Sequence, residues 1–570
     1  MNDPAGIEAK PVSVDGAAPL DGNRPVPIER HRVRRRAVAP PADLDLSADV
    51  LVIGGGPAGT WAALKAAEDG ARVVLADKGY CGTSGPTASS GTGVWFVPPD
   101  PEAREKAVAH REALGGHLHD RRWAHRVLDQ TYRSMIELGE RGRYPWPSAP
   151  DGRIVRRGVH GPEYMRRQRI RVQQAGVRVL DHSPALELLV DADGAVAGAA
   201  GHRRQEDVTW RVRAGAVVLA AGGCAFLSRA LGTNVVTGDG ALFAAEVGAE
   251  LSGMEFSNHY SIAAEFASVT KGRFFSQSTF FHEDGTVLEG AGSTRGRSVI
   301  GRTLLKEKVF CQLHWVDEAT QRFMRNAQPN FFLPFDRRGI DPFTQRFPVT
   351  CLLEGSVRGT GGVRIVGDDC ATSVPGLYAA GDSATRELVC GGFTGGGSHN
   401  AAWAVSSGTW AGRGAARHAR AIGGDAGRRA VHATGEAGLR PTGAQGSPEQ
   451  YKEVIELVQG EALPYEKNWF RTGARMTASL GALDDGWAEL RSSLAAPGAE
   501  ARRAREAAAM TAFARWMYSS ALARTETRGM HKREDFPKLD PAQHHRLLTG
   551  GLDEIWVAPE PVRPFAVMAS

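Results

Sequence analysis

Gly54, Gly56 and Gly59 stand at the spacing G-x-G-x-x-G directly after the apolar run Val50-Leu51-Val52-Ile53. Asp77 closes a second apolar run, Val73-Val74-Leu75-Ala76, 18 residues after Gly59. In this order the residues suit a dinucleotide. Gly54 permits a tight turn, Gly56 lets the backbone approach a diphosphate, and Gly59 lets the following helix pack on the strand. The Asp77 carboxylate can accept a ribose hydroxyl. Pro57 and Ala58 lie within the turn and Lys78 follows the acid, so these residues join the candidate cofactor site. The alternative is a glycine-rich turn in another α/β protein, and the spacing leaves FAD and NAD equally open.

The elements that must position these residues are an apolar strand buried on both faces and a helix expected over Thr60–Asp69, whose first N–H groups aim at the diphosphate. From Val177 to Val218, short alternating stretches broken by Asp191-Ala192-Asp193-Gly194 predict a strand meander. It ends in the buried strand Ala216–Ala221 and the turn Gly222-Gly223. A second strand of that kind, Gly376 to Asp382, comes much later, so the nucleotide fold is split. The expected organisation is an extension over 1–46, rich in Pro, Gly, Asp and Arg and read as disordered, then a first nucleotide-binding part over 47–249. A cap domain without βαβ rhythm follows over 250–345, then a second nucleotide-binding part over 346–420. A linker over 421–448 leads to a helical domain over 449–535, where Val454, Leu457, Val458, Ala512, Phe513, Trp516 and Met517 fall at helical spacing. An irregular tail over 536–570 completes the chain. The fold class is therefore α/β: a split Rossmann-like domain with an inserted α+β cap and a C-terminal helical domain.

At 570 residues the chain exceeds a single core, and 42% apolar with 23% charged residues is ordinary for a globular protein. No apolar run reaches the length of a membrane-spanning helix. The six cysteines are scattered without ligand-like spacing, which argues against structural zinc or a bound iron–sulfur cluster, and no metal site is assigned. Sparse cysteine suits a reducing cytoplasm. The basic run Arg30 to Arg36 resembles a twin-arginine signal, but Pro40, Pro41 and aspartates occupy the place of an apolar segment, so export is not expected. The run reads as a solvated or partner-docking arm, and no nucleic-acid partner is assigned.

Further motifs accompany the glycine turn: Thr237-Gly238-Asp239-Gly240, Gly253-Met254-Glu255-Phe256, Gly376-Leu377-Tyr378-Ala379-Ala380-Gly381-Asp382 and the segment Ala521 to Pro537, which contains Arg528-Gly529-Met530-His531-Lys532-Arg533-Glu534-Asp535-Phe536. In this order they resemble the flavoprotein subunits of succinate dehydrogenase and fumarate reductase, aspartate oxidase and the adenylylsulfate reductase α subunit. The resemblance covers roughly Asp49 to Asp540. It implies FAD rather than NAD, a two-part FAD domain and a mobile cap. By position it adds Ala221, Gly222, Asp239, Gly381 and Asp382 to the cofactor site, with Thr83, Ser84, Ser90 and Gly91 from a small-residue stretch beside the flavin. Ser398 and His399 fall at the start of the helix that, in the family, faces the pyrimidine edge of the flavin. A helix N-terminus there suits the charge of reduced flavin. Where membrane-bound succinate dehydrogenases attach the flavin through a histidine, this chain has Pro86, so the FAD is expected to be noncovalent.

The family's proton-donating arginine corresponds to Arg297 in Gly296-Arg297-Ser298-Val299-Ile300-Gly301-Arg302. The alternative for Arg297 is a surface or carboxylate-binding residue. His259, one residue out of step with a family histidine, is a substitute ligand or a structural histidine. Tyr260, Arg358 and Thr394 complete the candidate substrate site. The family's His-Tyr-x-Met-Gly-Gly becomes Val357-Arg358-Gly359-Thr360-Gly361-Gly362, and its Asn-Arg-Leu-Gly-Gly becomes Phe393-Thr394-Gly395-Gly396-Gly397. Two carboxylate-holding side chains are thereby lost. At about 1.5–3 kcal/mol per charged hydrogen bond, dicarboxylate binding weakens by roughly two to four powers of ten. The resemblance thus supports an FAD-dependent hydride transfer on a small substrate other than succinate, fumarate or aspartate, beside an electron-withdrawing group. Two other readings stay open: a flavin subunit working with a small ferredoxin-like iron–sulfur partner, as in adenylylsulfate reductase, and a catalytically inactive flavin-binding scaffold. An oligomer is compatible with each.

Overall fold

The computed structural model describes residues 38–562 apart from 149–151, 271, 294–295 and 395–397; the basic run Arg30 to Arg36 and most of the predicted extension lie outside the described residues. The apolar runs form the centre of an eight-stranded sheet. Strand Leu44–Ile53 pairs in parallel with Val73–Ala76 (Val52 opposite Leu75) and with Val208–Leu219 (Leu51 opposite Val217). Val50 to Ile53 are almost wholly buried, as a strand covered on both faces requires. The strand begins earlier than the expected 47, because Leu44 and Leu46 continue the ladder opposite Trp210 and Val212.

The predicted meander is present as Ala185–Val190, Val196–Arg203 and Val208–Leu219, antiparallel in sequence order. Strand Leu377–Ala379 then adds in parallel to the end of Val208–Leu219, with Tyr378 opposite Val218. That pairing rejoins the two halves of the nucleotide fold across more than 150 residues of intervening chain.

The cap is built on four antiparallel strands ordered His259–Ala264, Phe347–Gly355, Val309–Leu313, Ser278–Phe281. Its limits differ from the expected 250–345. Leu251–Ser252 instead pairs with His545–Gly550 and Gly362–Val363, while Phe347–Gly355, placed by the sequence beyond the cap, is the second strand of the cap sheet. Phe331, Phe332, Phe335 and Phe347 cluster beneath it as offset and edge-on rings.

Two further segments differ from expectation. The stretch expected as a linker is tied down: Ala433 pairs with Leu189, and Arg440 holds Glu187 at 2.7 Å while Arg429 holds Asp191 at 2.6 Å. The expected irregular tail contains the hairpin His545–Gly550 and Trp556–Pro561. Partners distant in sequence tie down the first; the hairpin closes locally over residues 551–555, and its first strand also pairs with the distant Leu251–Ser252.

The helical region comprises chiefly Tyr451–Ala462, Gly473–Ser493 and Ala501–Ala523. The last is buried along nearly its whole length and on every side, so an alanine-rich helix runs through the interior. Its Glu506 reaches the Lys78 ammonium at 2.9 Å, linking the helical region to the nucleotide fold. No helix among the described residues is long and apolar enough to cross a membrane.

Candidate active site

The strand ends converge on a cavity of about 1440 Å³, beyond the roughly 300–1000 Å³ of common small-molecule pockets. Gly54, Gly56, Pro57 and Ala58 line it, as do Asp77 and Lys78 from the end of the second strand. Ser84 and Gly91 contribute from the small-residue stretch, Ala221, Gly222 and Asp239 from beyond Val208–Leu219, and Gly381, Asp382 and Ser398 from the second half. The cap contributes Thr270, Phe274, Gln277 and Met324, and the loop after its last strand contributes Val357 and Arg358.

The glycine turn fits a dinucleotide. Gly54 has φ +104°, and a Cβ there would lie 2.3 Å from the Ala220 carbonyl oxygen; at Gly59 it would lie 1.8 Å from the Gly54 oxygen. These two glycines close the turn. Gly56 differs: a Cβ would meet nothing within 4 Å, because the space above it is cavity. Helix Pro57–Glu68 has no side-chain cap at Gly56 and no acidic residue in its first turn, leaving its opening N–H groups to an anion in that space.

Asp77 ties two loops together. One oxygen accepts the Gly55 N–H at 2.5 Å, and the other accepts the Gly79 N–H at 2.7 Å and the Ser84 hydroxyl at 2.9 Å. Lys78 sits among Asp239 at 2.5 Å, Glu506 at 2.9 Å and the Thr237 hydroxyl at 2.7 Å. Burial opposes its charge, but the two carboxylates outweigh burial and hold the ammonium above its ordinary pKa. Asp382 is held by Arg386, whose other nitrogen donates to the carbonyls of Ser356 at 2.8 Å and Val357 at 3.1 Å. This latch fixes the turn carrying Arg358. Sequence reading missed Arg386, although its i+4 spacing from Asp382 was a usable signal.

Some predicted cofactor residues do not line the cavity. Thr83 is exposed, Ser90 bonds the Gly91 carbonyl at 3.4 Å, and His399 is buried against Trp95 with ring centres 4.2 Å apart. Ser398 opens the helix Ser398–Ile422, and glycines 395–397 of the neighbouring motif lie outside the described residues. Thr394 is buried and is also absent from the cavity wall.

On the cap side the structure joins predicted residues through partners that sequence reading missed. Arg297, on helix Gly296–Leu304, donates to the His259 ring, 2.9 Å from Nε2 and 3.2 Å from Nδ1, and to the Tyr260 carbonyl at 3.0 Å. His259 and Ser261 share one face of their strand, with Nε2 2.9 Å from the Ser261 hydroxyl. That hydroxyl donates to Glu354 at 2.5 Å, Thr270 donates to the other Glu354 oxygen at 2.8 Å, and Arg358 Nε meets Glu354 at 2.9 Å. One assignment satisfies the chain: Arg297 donates to Nδ1, Nε2–H to Ser261, and Ser261 to Glu354. Burial and the adjacent Arg297 hold His259 well below its usual pKa, so the ring is neutral. Burial, then Arg358, lowers the Arg297 pKa. Arg358 lines the cavity, whereas Arg297 and His259 stand behind it.

Tyr260, predicted to touch substrate, does not line the cavity. Its hydroxyl donates to the Ala462 and Leu463 carbonyls, and its ring stacks on Trp469 at 4.9 Å, because the strand alternation turns it away from His259.

Beside Arg386, Glu387 is fully buried and accepts from the Ser252 hydroxyl at 2.7 Å. Burial, then the Glu255 charge, pushes its pKa up to about 8, so it is protonated at neutrality. Its ionised form is favoured in the unfolded chain from the ordinary carboxylate range upward. Glu387→Gln is therefore expected to gain stability relative to the parent as pH rises through 5 to 8, then level off. Paired thermal melts across that range measure the difference.

Among the described residues, no group of three or more His, Cys, Asp or Glu could hold a metal ion. Residues 49–258 match the FAD binding domain family and residues 467–558 the fumarate reductase flavoprotein C-terminal family. The L-aspartate oxidase of Mycobacterium tuberculosis strain H37Rv is 28% identical over 545 residues, covering 89% of this chain and 96% of that protein. The L-aspartate oxidase of Streptomyces coelicolor is 28% identical over 383 residues, 61% of this chain and 65% of that protein, so that match spans a little under two thirds of the relative. The fumarate reductase flavoprotein subunit of M. tuberculosis is 26% identical, covering 86% and 92%. In fold, a quinol–fumarate reductase solved with menaquinol superposes with TM-score 0.77 at 20% identity, covering 92% of this chain and 99% of that one. Adenylylsulfate reductase from Archaeoglobus fulgidus gives 0.69 at 18% identity, covering 96% and 100%. With a dinucleotide cradle, a split sheet and a cap over one cavity, the chain belongs to the FAD-dependent oxidoreductase family of succinate dehydrogenase and fumarate reductase flavoproteins and L-aspartate oxidase.

Proposed function

We propose that this protein transfers a hydride between noncovalent FAD and a small organic substrate, dehydrogenating it or reducing it beside an electron-withdrawing group. The supporting observation is the hydrogen-bonded chain Arg297–His259–Ser261–Glu354–Arg358, which starts in the buried cap and ends on the wall of the FAD cavity.

FAD would be held by the Gly54 to Gly59 turn, Asp77 and Asp382, with Ser398 at the helix start, and when bound it supplies the hydride donor or acceptor. The remaining work falls to protein side chains. Arg358 binds and polarises the electron-withdrawing group through N–H donors not engaged by Glu354 or Ser261. Glu354 and Ser261 hold the proton path open toward His259, and Arg297, shielded from water with a lowered pKa, serves as its inner terminus. Val357 on the cavity wall and buried Thr394 occupy the places of two carboxylate-holding residues. On that ground succinate, fumarate and aspartate are not the substrates, despite the activity named for the L-aspartate oxidase relatives.

Anaerobic stopped-flow spectra of the FAD-loaded protein mixed with candidate donors, and of dithionite-reduced protein mixed with activated alkenes, test this reading. Bleaching or recovery of the flavin band is expected for at least one class, and inertness towards all of them would refute it. Noncovalent attachment has its own test. Acid precipitation is expected to leave all yellow colour in the supernatant, because Pro86 lacks a nucleophile for a flavin bond; flavin in the pellet would contradict it.

A further inference from the structure

Resting on the reading of this cavity as a flavin redox site, we propose that its substrate is a monoanion with an apolar body of aromatic size. Arg358 holds the anionic head, and the body lies between Phe274, Phe323 and Met324 of the cap and Phe96 and Val155 of the nucleotide-binding part. The observations that carry this are a charge count and the character of the walls.

The linked cluster running from the cavity wall into the cap contains two cations, Arg358 on the wall and Arg297 behind it, and one carboxylate, Glu354, while His259 is neutral. One positive charge is left over. The other cations beside the cradle already have carboxylate partners: Arg386 has Asp382, and Lys78 has Asp239 and Glu506. A single anionic head balances the surplus, whereas a second carboxylate would lose water contacts without a second unmatched cation in the cluster to replace them. Exposed Arg157, on the cavity rim, adds attraction for an incoming anion without supplying a buried clamp.

Beyond the dinucleotide cradle the walls are largely apolar. Phe274 and Met324 are buried at the cavity, and Phe96 lines it from the nucleotide-binding part. Phe323 is 71% exposed on helix Glu318–Ala327, yet it borders the cavity together with Val155, itself 37% exposed. Two apolar side chains left open to water at one cavity, one from the cap and one from the nucleotide-binding part, suit a ligand that covers them. The polar cap side chains among them, Thr270, Ser276, Gln277, Thr320 and Gln328, are uncharged and add no further charge to bind an anion.

The test is a titration of the full-length, FAD-loaded protein, read as perturbation of the oxidised flavin spectrum, with trans-cinnamate, cinnamamide and fumarate as probes. Cinnamate is expected to bind at least about 10-fold more tightly than fumarate, from burial of its ring. Phe323→Ser, an exposed position that leaves the fold intact, is expected to weaken cinnamate by about 5- to 10-fold and leave fumarate unchanged. Arg358→Gln is expected to weaken cinnamate by at least about 10-fold and the uncharged cinnamamide by clearly less, since the amide loses a hydrogen bond but no ion pair. Fumarate binding as tightly as cinnamate, no response to cinnamate, or indifference of cinnamate to either substitution overturns the proposal. The readout requires no turnover. A flavin that donors reduce but cinnamate does not perturb overturns the substrate class alone, whereas cinnamate binding to a flavin that no donor reduces overturns the redox reading.

Discussion

Arg297→Lys is expected to lower kcat by about 10²- to 10⁴-fold, the range carried by a positioned proton donor, while FAD content and melting temperature stay near the parent values. Lysine keeps the charge but loses the planar fork that reaches the His259 ring and the Tyr260 carbonyl together. Because Arg297 contacts the His259 ring and does not line the cavity, loss of rate alone would not separate proton delivery from positioning. Glu354→Gln supplies the second readout. It preserves shape and can still accept from Thr270, but it cannot take up a proton from Ser261 or neutralise Arg358. Both variants are expected to lose the solvent isotope effect and the alkaline limb of the pH–rate profile along with kcat. Full activity in Glu354→Gln would show that protons reach the substrate by another route.

Gly56→Leu is expected to abolish flavin binding without unfolding the protein. At two glycines of the turn a side chain would strike backbone: 2.3 Å from Ala220 at Gly54 and 1.8 Å from Gly54 at Gly59. Gly56 has ordinary φ and ψ of −72° and −172° and no atom within 4 Å of a built Cβ. Leucine there fills only the space intended for a diphosphate. FAD affinity is expected to fall by at least about 100-fold from the overpacking, while the apoprotein melts within a degree or two of the parent apoprotein. Equilibrium dialysis for flavin and calorimetry of the apo forms measure the two quantities separately. Retained FAD would mean that the diphosphate does not lie over this turn.

The local sequence determined the cofactor end of this protein. A buried apolar strand, three glycines with distinct steric duties and a terminal aspartate are each a matter of a few adjacent residues, so Val50 to Asp77 were legible as a dinucleotide site before any fold was known. The meander over 177–218 and the alanine-rich helix were legible for the same reason, since strand alternation and helical period are local. The catalytic side was legible only in part. Arg297 and His259 stood out through family resemblance, but their meeting depends on a cap helix packing over a strand some 40 residues earlier. Glu354 carried no signal, because it becomes a partner of Ser261 only when two antiparallel strands pair. Tyr260 was placed at the substrate when strand alternation turns it the other way, and the segment over 421–448 was taken for a linker when Arg440 and Arg429 strap it to the sheet. Periodicity and turn chemistry are written in neighbouring residues, and they determined the nucleotide fold. Which buried charges face one another, and how many remain unmatched at the cavity, depends on groups brought together across hundreds of residues, and only the tertiary structure decided it.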